Sequence, residues 1–178
     1  MGQRILLVED ERALALITER HLQALGYEVE TVSGGEAALG AVERERPQLV
    51  LMDIVLGADE LDGIDTTERL LERFDVPVIY LTGADDDVTI DRAAQTEAYG
   101  YILKPIERAQ LRSAIEMALG RHRAERRLVQ TKQLLWTTLR SIGDGVLTTD
   151  GEGRVVMVNR AAEELLGRPP EELLGRPL

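Results

Sequence analysis

Cysteine is absent from the 178 residues, which excludes a disulfide framework and a thiolate metal centre. Aromatic side chains make up only 3%, so a core has to be built mainly from Leu, Ile, Val and Ala. No apolar run approaches the roughly 18 residues that a membrane helix needs. No basic-then-apolar leader precedes the first apolar run, and the expectation is a cytoplasmic protein with no membrane partner. Net charge is −11, unevenly spread: residues 1–120 carry 24 acidic and 11 basic side chains, residues 121–178 carry 8 and 10. So acidic a first part argues against direct nucleic-acid binding. The cluster Arg121, Arg123, Arg126 and Arg127 lies on a helical stretch with interspersed glutamate and reads as a solvated helix face.

What is present is more specific. Four short apolar runs, Ile5–Val8, Leu49–Met52, Val78–Leu81 and Tyr101–Leu103, end in Glu9-Asp10, Asp53, Thr82 and Lys104 respectively. Such runs read as buried parallel strands. The carboxyl ends of strands in an open α/β sheet line one crevice. Residues far apart in sequence should therefore meet there, and three carboxylates together repel strongly unless a cation joins them.

Strand and helix signals alternate five times, the pattern of a parallel sheet with crossover helices. The spacing predicts strands over 3–8, 27–32, 48–52, 76–81 and 100–103. Helices are predicted over 13–25, 35–45, 64–74 and 86–97, with a last one from Glu107. Ser33 is the expected N-cap of the second helix. The last helix meets no breaker cluster from Leu111 to Ser141, and Ala124, Leu128, Thr131, Leu135, Thr138 and Ile142 repeat at four-three spacing. That is a weak heptad seam, which predicts pairing with a second copy. After Gly143, residues 146–149 and 154–158 read as a hairpin, with Asn159 capping a helix over 160–166. About 35 residues after the linker are too few to bury an independent core.

The chemistry follows from residue types. Asp53 can attack a phosphoryl group to form an acyl phosphate. Glu9, Asp10 and Asp53 are hard oxygen ligands suited to Mg²⁺. Lys104 can pair with a phosphoryl oxygen, and the Thr82 hydroxyl can donate to another.

With these residues in place, segment 3–120 resembles the receiver domain of two-component response regulators. The matching pieces are Ile-Leu-Leu-Val-Glu9-Asp10, Leu-Met-Asp53-Ile, Tyr-Leu-Thr82-Gly-Ala and Gly-Tyr101-Ile-Leu-Lys104-Pro105. The resemblance implies a flavodoxin-like, doubly wound five-stranded parallel sheet of order 2-1-3-4-5; a receiver is among the known examples of that fold. It implies phosphotransfer onto Asp53 from a histidine kinase or phosphotransfer protein. It also implies Mg²⁺ held by Asp10, Asp53, the Val55 backbone carbonyl and Glu9, with Thr82 and Lys104 on the phosphoryl group. Tyr101 would be the aromatic that swings inward on activation, and the bond before Pro105 would be cis. Residues 143–178 resemble the opening of a PAS sensor domain, through Gly145-Val-Leu-Thr-Thr-Asp150-Gly, Val156-Met-Val-Asn159-Arg-Ala-Ala and Pro170-Glu-Glu-Leu-Leu-Gly175. The expected organisation is a receiver over 1–120, a linker helix over 121–142 and a truncated α+β PAS-like segment over 143–178.

Three departures from the receiver pattern stand out. Glu9 stands where Asp is commoner. The acidic loop with Gly57, Asp59, Glu60 and Asp62 lacks the usual proline. Val55 and Ala84 are apolar where polar side chains commonly govern attack by water, which implies a long-lived phosphoryl group. A phosphoaspartyl hydrolase is disfavoured, because Val55 stands where its second Asp would be. A flavin or nucleotide binder is disfavoured by acidic loops where glycine-rich ones belong. A fragment of a hybrid sensor histidine kinase or of a cyclase stays open. In that case the catalytic part lies beyond Leu178, since neither His21 nor His122 sits in a phosphoacceptor motif.

Overall fold

The computed structural model describes residues 2–57, 61–83, 92, 96, 98–141 and 143–177. They fall into two units, residues 1–123 and 124–178, with the division inside one helix.

The first unit has strands β1 (Arg4–Val8), β2 (Glu28–Val32), β3 (Leu49–Asp53), β4 (Val78–Thr82) and β5 (Gly100–Leu103). Helices α1 (Arg12–Ala24), α2 (Gly35–Arg44) and α3 (Gly63–Arg73) cross between them, and α4 (Arg108–Ser141) follows β5. All five strands are parallel, in the order β2-β1-β3-β4-β5. The helix expected over 86–97 lies outside the described residues apart from Arg92 and Thr96, and Ala84, Asp59 and Glu60 lie outside them too.

Side chains alternate across a strand, so each run feeds both faces. Leu6, Val8, Val50, Met52 and Tyr80 pack under Ala38 and Val42 of α2 and Ile64 and Leu70 of α3. Ile5, Leu7, Leu49, Leu51, Ile79 and Ile102 pack under Leu22 of α1 and Leu111, Ile115 and Leu119 of α4. β3 and β4 are buried at every position, which is why they read as continuous apolar runs rather than alternating ones.

A helix cap carries the one local correction. α2 starts at Gly35, as the spacing predicts, but Ser33 is not its cap: Gly34 is, in an extended conformation and with no side-chain cap bond. A Cβ at Gly35 would sit 2.3 Å from Thr66 Oγ1 of α3, so the glycine lets the two helices approach. α3 has a true cap, Asp62, whose side chain accepts from Asp65 N at 2.8 Å, an arrangement worth about 1 kcal/mol.

The second unit holds the antiparallel hairpin β6 (Leu147–Thr149) and β7 (Val155–Val158), then α5 (Arg160–Leu166) and α6 (Pro170–Leu173). Asn159 is fully buried and uses its whole amide. Oδ1 accepts from Val146 N at 2.7 Å and Ala162 N at 2.9 Å. Nδ2 donates to Leu139 O at 3.0 Å and Asp144 O at 2.9 Å. The expected cap is therefore also a knot between the end of α4, the hairpin and α5.

Candidate functional site

The strand order brings the carboxyl ends of β1, β3, β4 and β5 side by side. Ile54 N donates to Leu81 O at 3.1 Å and Lys104 N to Thr82 O at 2.8 Å, so the residues leaving these strands stay in register. At this edge the Lys104 ammonium lies 2.7 Å from Asp53 Oδ2, donating a hydrogen bond, and 2.8 Å from Glu9 Oε2. Carboxylate oxygens of Glu9, Asp10 and Asp53 all lie within 4.8 Å of one another. Glu9, Asp53 and Thr82 are buried.

The remaining acceptors are partly served by backbone amides. Val55 N donates to Asp53 Oδ1 at 3.3 Å, Gly57 N to Asp10 Oδ2 at 2.9 Å, and Glu11 N to Glu9 Oε1 at 3.3 Å. Glu9 Oε2 is buried with no aligned donor, because Lys104 meets it as an ion pair outside hydrogen-bonding geometry. Burial, reinforced by neighbouring Asp53 and only partly offset by Lys104, pushes the Glu9 carboxyl up to about 7. Burial alone would lower the Lys104 ammonium, but its bonds to Asp53 and Glu9 outweigh that and hold it above its ordinary value. Three carboxylates with one ammonium, and a buried oxygen lacking a donor, form a donor set that a small hard dication fits.

The other expected site residues are placed as follows. The Thr82 hydroxyl donates to Gly83 O at 3.2 Å. Tyr101 is 58% exposed, its ring outside the core, where it lines a groove of about 790 Å³ with Leu103, Pro105, Gln110 and Met117. The Lys104–Pro105 bond is cis. Val55 is exposed.

Two glycines matter here that residue chemistry alone did not single out. The Gly57 amide reaches the Asp10 carboxylate from the loop that lacks proline. Gly63, the first residue of α3, lies against the backbone of the central acidic residue: a Cβ there would be 1.9 Å from Asp53 O and 2.9 Å from Ile54 Cα. The sequence shows the Asp62-Gly63 pair here, and residue type carries no sign of this close approach.

Residues 5–116 match the family "Response regulator receiver domain", and residues 132–178 match "PAS fold". A probable transcriptional regulator ycf27 from Porphyridium aerugineum is 34% identical over 119 residues, 67% of this chain and 49% of that protein. The alkaline phosphatase synthesis transcriptional regulatory protein PhoP of Bacillus subtilis is 30% identical over 122 residues, 68% of this chain and 50% of that one. The chain thus spans about half the length of the curated relatives it matches. Among solved structures, the signal receiver domain of a modulated diguanylate cyclase from Desulfovibrio desulfuricans is 34% identical with a TM-score of 0.66. That match covers 70% of this chain and 99% of that domain. The N-terminal domain of a response regulator/sensory box/GGDEF 3-domain protein from Carboxydothermus hydrogenoformans is also 34% identical, TM-score 0.63, covering 68% and 98%. The crevice, the strand order and these matches agree: the chain belongs to the response regulator receiver domain family, its receiver followed by a PAS-fold segment.

Proposed function

We propose that this chain is the phosphoacceptor of a two-component relay in the cytoplasm, and not an enzyme that turns over substrate. The observation that carries the reading is the Asp53–Lys104 pair at 2.7 Å inside the acidic crevice. An Asp53 oxygen attacks the phosphorus of a phosphohistidine on a histidine kinase or phosphotransfer protein. The P–N bond breaks, an acyl phosphate forms, and the imidazole leaves. Positioning and charge neutralisation supply most of the catalysis in such a transfer. Glu9, Asp10, Asp53 and the Val55 carbonyl would hold Mg²⁺, which supplies charge neutralisation when bound. Lys104 exchanges part of its pairing with Asp53 for a phosphoryl oxygen. Thr82 turns its hydroxyl from Gly83 O to another, and Tyr101 moves inward as Thr82 withdraws.

The organisation we assign is a receiver over 1–120, a linker helix over 121–142 and a PAS-like segment over 143–178. α4 carries the state from the first to the last. Leu128, Val129, Leu134, Leu135 and Trp136 are exposed on it, apolar surface suited to pairing with a second copy. Light scattering with and without beryllofluoride should show a dimer in at least one state; a monomer in both would remove this part.

The central test is a labelling experiment with acetyl phosphate. Intact-mass analysis should show one Mg²⁺-dependent phosphoryl adduct in the wild type and none in Asp53→Asn. With Val55 and Ala84 unable to orient water, the adduct should last minutes or longer. Equal labelling of the variant would refute the assignment.

A second reading places this receiver–PAS pair ahead of a cyclase. The solved receivers of a diguanylate cyclase and of a sensory box/GGDEF protein favour it. Coding sequence downstream of Leu178 that carries a GGDEF motif would support it, and any other output would end it.

A further inference from the structure

Among the described residues from Arg121 to Thr138, His122 is the single buried one. Its ring is wedged between two other parts of the domain. Nδ1 lies 3.0 Å from the Tyr99 hydroxyl, the rings meet edge to face at 5.6 Å and 81°, and Nε2 lies 3.6 Å from Asp75 Oδ1. Asp75 belongs to the α3–β4 connection. Tyr99 immediately precedes β5, and its own N–H donates to Val78 O at 2.8 Å. The Arg121 guanidinium, one residue before His122, sits 5.2 Å over the same tyrosine ring, a cation–π contact.

The Nε2 edge of the ring faces the acceptor-only Asp75 carboxylate, and the tautomer with its proton on that edge offers Nδ1 as an acceptor for the Tyr99 O–H. One side chain of the helix is thereby tied, by a directional bond, to the lead-in of the strand that bears Tyr101 and is followed by Lys104. A hydrogen bond at 3.0 Å is directional and weakens steeply as its donor turns away from the acceptor.

We infer that His122 is the positioning residue through which movement of β5 reaches the long helix, by its hydrogen bond to Tyr99. The inference rests on the proposed reading that the phosphorylated state travels along this helix. It adds the point of transfer and makes it specific to one bond.

The test uses the whole chain, with Mg²⁺ and beryllofluoride as the phosphoryl mimic, and hydrogen exchange as the readout. In the wild type the mimic should change exchange both in peptides spanning 78–83 and in helix peptides spanning 123–138. His122→Phe keeps a ring of similar size without an acceptor, and Tyr99→Phe removes one oxygen. Both should keep the mimic-induced change at 78–83 while that in the helix falls more than twofold. His122→Asn, whose Oδ1 can stand where Nδ1 stood, should restore it. A merely structural anchor would alter basal exchange of the helix and leave the mimic-induced difference intact. If the helix responds as in the wild type in both His122→Phe and Tyr99→Phe, the latch is wrong and the relay reading survives. Should the wild-type helix not respond at all, both fall. If His122→Phe fails to fold, Tyr99→Phe decides alone.

Discussion

Gly63→Ala should destabilise the receiver unit by about 3 kcal/mol or more, at the upper end of what overpacking costs. The added methyl would lie 1.9 Å from Asp53 O and 2.8 Å from Asp53 C, both backbone atoms of the central strand. No rotamer change can relieve such a contact. Either α3 backs away, opening the layer under Ile64 and Leu70, or β3 shifts at the residue that carries the carboxylate. The same chemical change at Gly40 supplies the control. Gly40 is exposed inside α2 with nothing within 4 Å of its missing Cβ. Gly40→Ala should stabilise by about 0.5–1 kcal/mol, through the unfolded chain's lost freedom and better helix propensity. Equilibrium urea unfolding followed by circular dichroism gives both values. A Gly63→Ala midpoint within error of the wild type would show that the helix start yields freely.

The second large effect concerns pH. The Glu9 carboxyl is held up to about 7 by burial and by Asp53, against an ordinary value of 4.5. The folded state therefore binds this proton more tightly than the unfolded chain does. Stability from this group is fully present below about pH 4.5 and is lost as pH rises toward about 7. At 1.36 kcal/mol per unit, the loss is on the order of 3 kcal/mol at most. A dication should offset it where Glu9 is ionised. Without Mg²⁺ the melting temperature should fall between about pH 5.5 and about pH 8, by roughly 5 °C. With Mg²⁺ the fall should largely vanish, the added stability being confined to the higher pH. Glu9→Gln, which keeps the shape and removes the charge, should flatten the metal-free profile. A profile with the same slope in Glu9→Gln would assign the pH dependence to other groups.

Much of the fold was legible because the buried strands announce themselves. β1, β3 and β4 are apolar at nearly every position, and their ends carry the only residues that break the run. The Asp53–Lys104 contact was legible for the same reason: both residues close runs that a parallel sheet aligns at one edge. Helix caps were less legible. α2 starts at Gly35 as the spacing predicts, yet Gly34 and not Ser33 caps it. The close approaches at Gly35 and Gly63 were hidden, since the atoms that crowd them lie on other elements and no pattern of side chains reveals them. The Gly57 amide was equally hidden, as a main-chain donor leaves no trace in residue type. His122 looked like one residue in a basic, solvated helix; its burial depends on Tyr99 and Asp75, which neither periodicity nor charge places beside it.

The position of Lys104 at the end of an edge strand has a consequence for folding cooperativity. β5 pairs only with β4 and, like β2 at the other edge, lacks a second neighbour to hold it. It also brings the ammonium that faces Glu9 and Asp53. A partly folded receiver that lacks β5 gathers the carboxylates of β1 and β3 with nothing to neutralise them, and their repulsion works against that intermediate. The acidic crevice thus penalises partial assembly and favours closing the sheet in one step. The same charges that suit the site to a phosphoryl group help make the domain's folding all or none.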